Sequence, residues 1–447
     1  GVILGGDYSV IPVRYLHLSD GGRIEQVVSD LYYASLDGNM NADLDYYYGN
    51  SPEDDISPEI VVTRVPLTDS ISIAGYLDKI LAHRYHPDVD YLNRWMFIGA
   101  SLGSSGTDNL GATRSSIVLE ALDTDGMGLD VRRMYSNYRE SGGDLELNKD
   151  SVMADLYRGT YLISHIDHAD VTVLSTGKYS GGGEIYASEI DTVQNSPYYS
   201  IMFSYSCKIN SIDRENWPQH WIGNPNGGGL AFIGNASYAT QANMIVVNYF
   251  FESLISFSDM SLGAAFVNLQ NILNWKRFYV GNLGFCGYPT IRPYLGTPKS
   301  LTMEYSPISM DDSMFSVRVY DESHEPVRDA DVILSTKTYN FITKTTDADG
   351  VADFSITISS TDDLILTAKC PGYIAVQETI TVHPATTGFV RISEYRFDEI
   401  TGIFNNRPEA GESGELFITF ENVGVEAIDD LSFFVTIPEY DYRSEIV

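Results

Sequence analysis

The chain has 447 residues, and its 61 Asp and Glu residues outnumber its 28 Lys and Arg residues, for a formal net charge of −33. Because one hydrophobic core seldom organises more than about 250 to 300 residues, this length predicts roughly two to four domains. The negative charge repels the phosphates of nucleic acids and of anionic membranes, so it argues against both as partners.

The opening segment, GVILGGDYSVIPV, predicts a β-strand followed by a turn. It has neither the charged start nor the cleavage pattern of a signal peptide. We therefore expect the chain to begin inside a domain, with upstream sequence such as a propeptide or a secretion signal missing from it.

Segment 37–45, DGNMNADLD, carries an oxygen-bearing side chain at every second position: Asp37, Asn39, Asn41, Asp43 and Asp45. Calcium takes about six to eight oxygen ligands, and alternating acids in a glycine-containing loop supply several of them. The segment lacks the glutamate that closes an EF-hand loop. Two interpretations stay open from the residues, a structural Ca²⁺ site and a solvated acidic loop.

Apolar strands then alternate with amphipathic helices up to about residue 296, which is typical of an α/β domain with a mostly parallel sheet. Residues 60–66 predict a strand, and residues 69–86 predict a helix with Asp69 or Ser70 as its N-cap. Helical periodicity places four residues on one apolar face of that helix, Ile73, Leu77, Ile80 and Leu81.

The later strands of this domain are continuous apolar runs, at 95–100, 159–167, 200–207 and 228–236, and residues 114–126 predict a helix that stops near Gly126. A sheet covered by helices on both sides requires strands that are apolar on both faces. The longest apolar stretch, 244–257, is interrupted by Asn248 and Glu252 and is too short to span a bilayer.

Candidate residues stand where two predicted strands end: His165 lies within strand 159–167, His168 follows it directly, and Cys207 is the last residue of strand 200–207. In an open α/β sheet, the carboxyl ends of the strands carry the site, so a histidine and a cysteine there are able to face each other. An imidazole beside a thiol takes its proton and activates it as a nucleophile. Taken alone, a cysteine at a strand end is more often a buried packing residue.

His165 invites a different interpretation, because strand alternation puts it on the face opposite His168 and favours a structural role. The run HIDHAD also has the ligand types of a metal half-site. With only eight histidines in the chain, no second cluster stands out to complete one. The three cysteines, Cys207, Cys286 and Cys370, are too widely spaced to indicate a disulfide framework or a Cys-x-x-Cys metal pair.

After about residue 297 the sequence changes to short alternating strands with Gly, Asp and Pro turns. This pattern predicts a β-sandwich over 297–385. Residues 386–447 show the same alternation at about half the length of a sandwich of ~100 residues. We expect them to be the start of a second sandwich that continues beyond the chain.

From GGDYSVIPV to YPTIRPYLGTPKSL, about two-thirds of the chain resembles the gingipain-like cysteine peptidases. The ordered segments that carry the resemblance are LGGDYSVIPV, SDLYYASLDGNMNADLDYYYGN, EIVVTRVPLTDSISIAGYLDKILAHRYH, ISHIDHAD, SYSCKINSID, NPNGGGLAFIGNASYAT, MSLGAAFVNLQNIL and LGFCGYPTIRPYLGTP. The resemblance implies a caspase-like α/β sandwich with a mostly parallel sheet over 1–296, with its N-terminal part missing. All-β immunoglobulin-like sandwich domains are expected to follow.

By position, the resemblance implies that Cys207 is the nucleophile and His168 the general acid and base. The backbone N–H groups of Cys207 and Ala169 then hold the oxyanion. The implied reaction is hydrolysis of a protein or peptide substrate through a thioester, without a catalytic cofactor, outside the cell or at its surface. The resemblance also favours a structural Ca²⁺ in segment 37–45.

The chain departs from the family's Gly-His-Gly pattern, because Asp167, His168 and Ala169 stand there. Strand alternation points Asp167 away from the site, so we assign it no catalytic role. The departure supports one alternative from another class, a structural or adhesive surface protein that keeps an inactive peptidase domain. Besides a protein or peptide substrate, the expected partners of the chain under either interpretation are other surface proteins or further domains of a longer chain.

Overall fold

The structure is a computed structural model that describes residues 1–20, 22–122, 127–241, 244–256, 260–338, 340–402, 405, 413–429 and 431–432. The chain separates into two compact units, Gly1–Ser300 with Pro371–Ala375, and Leu301–Cys370 with Val376–Val447. Within the described ranges, no helix has both the length and the apolar character needed to cross a membrane. The domain boundaries at 296/297 and 385/386 stay predictions.

Strands and helices alternate along residues 1–300. The strands are β1 (Val2–Gly5), β2 (Arg14–Asp20), β3 (Arg23–Ser29), β4 (Val62–Val65), β5 (Arg94–Gly99), β6 (Asp130–Tyr135), β7 (Leu145–Glu146), β8 (Leu162–Ile166), β9 (Ala169–Asp170), β10 (Val173–Ser175), β11 (Glu184–Tyr186), β12 (Ser200–Tyr205), β13 (Gly229–Asn235) and β14 (Leu283–Gly287). The helices are α1 (Ser70–Tyr85), α2 (Leu110–Leu122), α3 (Tyr138–Ser141), α4 (Lys149–Arg158), α5 (Ala187–Ile190), α6 (Trp217–Gly223), α7 (Ile245–Ser256), α8 (Leu262–Ile272) and α9 (Arg277–Asn282). The predicted helix end near Gly126 lies outside the described residues.

One nine-stranded sheet organises this unit, in the order β1-β4-β14-β13-β12-β8-β5-β6-β7. The six strands from β13 to β7 run parallel to one another, and β14 pairs antiparallel with β13. β1 and β4 run parallel to β14. Every residue of β8 and β12 is buried. The α/β fold with a mostly parallel sheet is therefore as predicted, and the central strands are the continuous apolar runs of the sequence.

Helix α1 begins as predicted, because the Asp69 side chain accepts hydrogen bonds from the first free N–H groups of the helix. Of the four residues predicted on its apolar face, only Ile80 packs against the core, and it is partly buried. Ile73, Leu77 and Leu81 are 40%, 56% and 52% exposed, whereas Lys79 and His83 are buried. The buried polar atoms have partners, since Lys79 Nζ donates to the Ile222 carbonyl at 2.9 Å and His83 Nε2 bonds the Tyr161 hydroxyl at 2.8 Å.

The strands after residue 298 are β15 (Lys299–Tyr305), β16 (Ile308–Ser309), β17 (Met314–Asp321), β18 (Asp331–Thr336), β19 (Phe341–Thr345), β20 (Val351–Ser355), β21 (Leu364–Lys369), β22 (Tyr373–Ile374), β23 (Val376–Ile380), β24 (Val382–His383), β25 (Val390–Thr401) and β26 (Ser413–Asn422). Antiparallel pairs join β15 to β17 and β17 to β20 in one sheet. Another antiparallel sheet has the order β19-β18-β21-β23, and β25 and β26 form a hairpin. These are the β-sheets predicted for the C-terminal region, and their immunoglobulin-like identity stays a prediction.

Candidate active site

His168 and Cys207 follow two neighbouring strands of the sheet. β8 and β12 pair in parallel, and their last matched residues are Ile166 and Tyr205. His168 comes two positions after Ile166, and Cys207 comes two positions after Tyr205. Neighbouring strands lie about 4.8 Å apart. The strand register therefore brings His168 and Cys207 to the same edge of the sheet, as the sequence predicts.

Cys207 stands at the start of a sharp turn. Lys208, the next residue, has a left-handed backbone with φ of 56°, and its N–H donates to the Ser237 carbonyl at 2.8 Å. Few residues other than glycine adopt this conformation without a tertiary contact to hold it. The half-buried thiol faces Ala239, whose backbone nitrogen lies 3.4 Å from the Cys207 sulfur. The turn ends the strand and leaves the sulfur partly accessible.

The ring of His168 is held in one tautomer. Its Nε2 lies 3.1 Å from the carbonyl oxygen of Leu102. Because a carbonyl only accepts, Nε2 carries the proton, and in the neutral ring Nδ1 is left as the basic nitrogen. Tyr179 packs edge-on against the same ring, with centroids 4.8 Å apart. The Leu102 carbonyl and the Tyr179 ring therefore fix the His168 ring from two sides, and its role as general base stays a prediction.

The loop that presents the Leu102 carbonyl is organised by one carboxylate. Asp108 accepts hydrogen bonds from the Ser101 hydroxyl at 2.9 Å, from the N–H groups of Leu102 and Leu110 at 3.0 and 3.1 Å, and from the N–H of Gly103. Partial burial works against the charge, but these hydrogen bonds outweigh it and lower the pKa of Asp108. An ionised Asp108 therefore fixes the backbone that contacts the histidine.

Asp167 is buried beside His168, with 4% of its surface exposed. Its two carboxylate oxygens accept the N–H groups of His168 at 2.6 Å and of Gly177 at 2.7 Å. Burial raises the pKa of Asp167 to about 7, against the opposing effect of those two hydrogen bonds. The side chain therefore holds the backbone of His168 and Gly177 in place, and the absence of a catalytic role stays a prediction.

His165 is fully buried. Its Nε2 lies 2.9 Å from the Ser175 carbonyl and its Nδ1 lies 2.8 Å from the Ser204 hydroxyl. The carbonyl fixes the proton on Nε2, and burial lowers the pKa of the ring to about 4. Both ring nitrogens are thus engaged in hydrogen bonds within the protein. In the described part of the chain, no group of three or more His, Cys, Asp and Glu side chains is arranged to hold a metal ion.

The acidic loop that carries the calcium prediction has residues Asp37, Asn39, Asn41, Asp43 and Asp45. Asp45 accepts the N–H of Tyr47 at 2.6 Å and the amide of Asn50 at 3.0 Å. The Asn41 amide donates to the Asp45 carbonyl at 2.7 Å. The loop is thus ordered by its own side chains. The calcium assignment stays a prediction.

Ala169, the second proposed oxyanion donor, is the first residue of β9 and pairs antiparallel with Leu174. It is half-buried and one position beyond His168. The roles of its N–H and of the Cys207 N–H stay predictions.

Sequence reasoning missed three contributors to this site, Leu102, Asp108 and Tyr179. A signal for the first two was present, because the loop after β5 is rich in Ser and Gly and contains Asp108, and β5 is the neighbour of β8 in the sheet. Loops after neighbouring parallel strands meet at one edge. Tyr179 had no such signal, since it reaches the ring through the fold of residues 176–183.

Comparison with known proteins identifies relatives of the same fold. The family described as "Peptidase family C25" matches residues 1–294. None of the curated proteins compared with the chain matches it. Among solved structures, the complex of the pro- and mature domains of RgpB from Porphyromonas gingivalis aligns with a TM-score of 0.67 and 15% identity, covering 86% of this chain and 85% of that chain.

Two further structures align similarly. The Arg-specific cysteine proteinase gingipain R aligns with a TM-score of 0.66 and 15% identity, over 86% of this chain and 83% of that chain. A structure described only as a protease aligns with a TM-score of 0.65 and 16% identity, over 85% of this chain and 82% of that chain. At these identities the solved structures show a shared fold.

Proposed function

The chain belongs to peptidase family C25, the gingipain-like cysteine peptidases, and from this premise we propose that it is a secreted or cell-surface endopeptidase that uses Cys207 and His168. The observation that carries the proposal is the hydrogen bond from His168 Nε2 to the Leu102 carbonyl. It leaves Nδ1 as the base, on a residue that follows the strand next to that of Cys207.

In the proposed reaction, His168 Nδ1 takes the proton of the Cys207 thiol, and the thiolate attacks the carbonyl carbon of the scissile peptide bond. The backbone N–H groups of Cys207 and Ala169 donate to the oxyanion of the tetrahedral intermediate. His168 then protonates the leaving amine. A water molecule, deprotonated by His168, hydrolyses the resulting thioester and restores the thiol.

This mechanism uses no metal or organic cofactor in the chemical steps. The proposed substrate class is protein or peptide, which follows from the family. The extracellular or surface location is proposed on the same ground. The structural Ca²⁺ in the loop of residues 37–45 is a separate part of the proposal and takes no part in the reaction.

Cleavage of a mixed peptide library by the purified chain tests the proposal. We expect endoproteolytic products from the native protein and at least a ~10³-fold loss with Cys207→Ala, since a nucleophile has no substitute in a thioester mechanism. Cys370→Ala is the matched control and should retain the native rate. Products that persist with Cys207→Ala, or their absence from the native protein, would contradict the proposal and favour the inactive surface module.

A further inference from the structure

Buried polar groups join the segments that carry His168 and Cys207, and no step of the proposed reaction uses them. The first group is the Asp167 carboxylate. It accepts the N–H of His168 at 2.6 Å and the N–H of Gly177 at 2.7 Å. One side chain thus ties the backbone of the proposed base to the turn that follows β10.

The second group is the His165 imidazole, which reaches toward the other strand. Its Nδ1 accepts from the Ser204 hydroxyl at 2.8 Å, and the oxygens of Ser204 and Ser206 lie 2.7 Å apart. Ser206 immediately precedes Cys207. All of these side chains are buried. His165 thus connects β8, which leads to His168, with the end of β12, which leads to the proposed nucleophile.

The two groups meet at Ser175. Its carbonyl accepts from His165 Nε2 at 2.9 Å, and its N–H donates to the His168 carbonyl at 3.1 Å. Its hydroxyl accepts the N–H of Lys178 at 3.1 Å, in the same turn whose Gly177 N–H donates to Asp167. The chain of contacts is therefore continuous from Ser206 to His168.

Such an arrangement costs stability. A carboxyl buried among backbone groups loses hydration that two N–H donors only partly replace. An apolar residue at the same position would avoid this cost. What the polar groups provide is directional, because hydrogen bonds fix the separation of the segments they join while apolar contacts allow sliding.

We propose that Asp167 and His165 are positioning residues that hold the backbone of His168 and that of Cys207 in one frame. This inference rests on the proposed function, and it assigns neither side chain a proton-transfer step. Tyr179 is positioned by the same frame, since it follows the Gly177 turn and packs on the His168 ring.

The test is a double-mutant cycle of Asp167→Asn and Ser204→Ala, with kcat and KM for a cleaved peptide and the alkylation rate of Cys207 by iodoacetamide. Asparagine keeps the shape but offers only one acceptor. Misplacing a reacting group by about 1 Å costs up to ~10²-fold, so we expect each single variant to lower kcat by about 10- to 100-fold with KM nearly unchanged. The double variant should lose less than the product of the two, because both belong to one network.

Matched controls separate positioning from folding. Asp170→Asn removes an exposed carboxylate that accepts the N–H of Val171 at 2.9 Å. Ser253→Ala removes a hydroxyl that donates to the Tyr249 carbonyl within α7. Both should keep native kcat. Active-site titration corrects every rate for the folded fraction.

The positioning role would be wrong, with the proposed function intact, if each single variant kept kcat within about twofold of the native value. It would also be wrong if the loss of kcat in the double variant equalled the product of the two single losses. Native protein whose Cys207 is alkylated no faster than Cys370 would overturn both, because there would be no dyad to position. If the native protein is active but Asp167→Asn changes only KM and leaves kcat unchanged, the proposed positioning role is also contradicted.

Discussion

Single side chains decide the chemistry of this site through their hydrogen-bond partners. His165 and His168 are three positions apart on one segment, yet the first has both ring nitrogens bonded within the core and the second has one nitrogen on the Leu102 carbonyl. Alternation along a strand predicted different roles for the two rings. The carbonyl partner was beyond sequence reasoning, because a backbone oxygen carries no residue signature.

Asp167 gives a residue-scale prediction for stability against pH. Burial raises its pKa from 3.8 to about 7 in the folded chain. Between these values the folded state binds more protons than the unfolded state, so its contribution to stability falls as the pH rises. Asparagine does not titrate. We therefore expect the free energy of unfolding of Asp167→Asn, relative to the native chain, to improve from pH 5 to pH 8.

Urea unfolding of both proteins at the two pH values measures this difference. Because both proteins share the other buried groups with shifted pKa values, such as His165 at about 4 and Lys79 at about 7, the effects of those groups cancel in the comparison. A relative free energy that stays constant, or that worsens with rising pH, contradicts the buried carboxyl described for Asp167.

At the scale of elements, the central strands of the large sheet were predicted, while the shorter strands were not, and the one predicted helix face was mostly wrong. The apolar runs at 60–66, 159–167 and 200–207 contain β4, β8 and β12. Continuous apolar runs suffice there because both faces of a central strand are buried. Helix α1 did not follow this pattern. Its buried face combines Tyr76 and the partly buried Ile80 with the hydrocarbon stem of Lys79 and the ring of His83, whose polar atoms are bonded internally.

The exposure of Leu77 and the burial of Tyr76 on this helix predict unequal effects of two neighbouring substitutions. Leu77→Gln changes an exposed side chain and should alter the free energy of unfolding by no more than about 0.5 kcal/mol. Tyr76→Phe removes a buried hydroxyl that donates to the Leu230 carbonyl at 2.7 Å and accepts the Tyr288 N–H at 2.8 Å. Leaving both partners unsatisfied should cost about 1–3 kcal/mol. Chemical denaturation checks the pair, and the opposite ranking would contradict the orientation of α1.

The loop after β5 supplies another prediction. Asp108→Asn loses charge-assisted acceptors and frees the backbone that carries the Leu102 carbonyl, so we expect kcat to fall by about 10-fold. Its matched control is Asp69→Asn, since Asp69 likewise accepts N–H groups at the start of a helix, α1. Steady-state kinetics distinguish them. Equal losses in both variants would mean that the effect is general loss of helix capping.

For the acidic loop of residues 37–45, bound calcium would stabilise the folded chain by mass action. We expect millimolar CaCl₂ to raise the Tm by at least about 3 °C over EDTA, and Asp45→Asn to abolish the rise. The control is Asp347→Asn, because Asp347 lies in a turn and accepts the N–H of Val351 at 2.9 Å. A Tm indifferent to calcium would leave the solvated-loop interpretation.

At the scale of the whole molecule, the ordered family segments predicted the fold over residues 1–294 better than any single pattern did. The reversal of direction between β13 and β14 was not predicted. It depends on α7, α8 and α9, whose apolar residues indicate burial without specifying which edge of the sheet the chain returns to. The direction of a strand in a sheet depends on the segment that connects it to the strand before it, and the path of that segment depends on packing between residues far apart in the sequence.

The measurement that tests the central claim most directly is the alkylation rate of each cysteine by iodoacetamide, followed by mass spectrometry at pH 6.5 in native protein and in His168→Ala. An unassisted thiol is only about 1% ionised there. We predict that Cys207 reacts at least ~10-fold faster than Cys370 in the native chain, and that this advantage disappears with His168→Ala but persists with His220→Ala. Equal rates for Cys207 and Cys370 in the native chain, or an advantage untouched by His168→Ala, would contradict the proposed dyad.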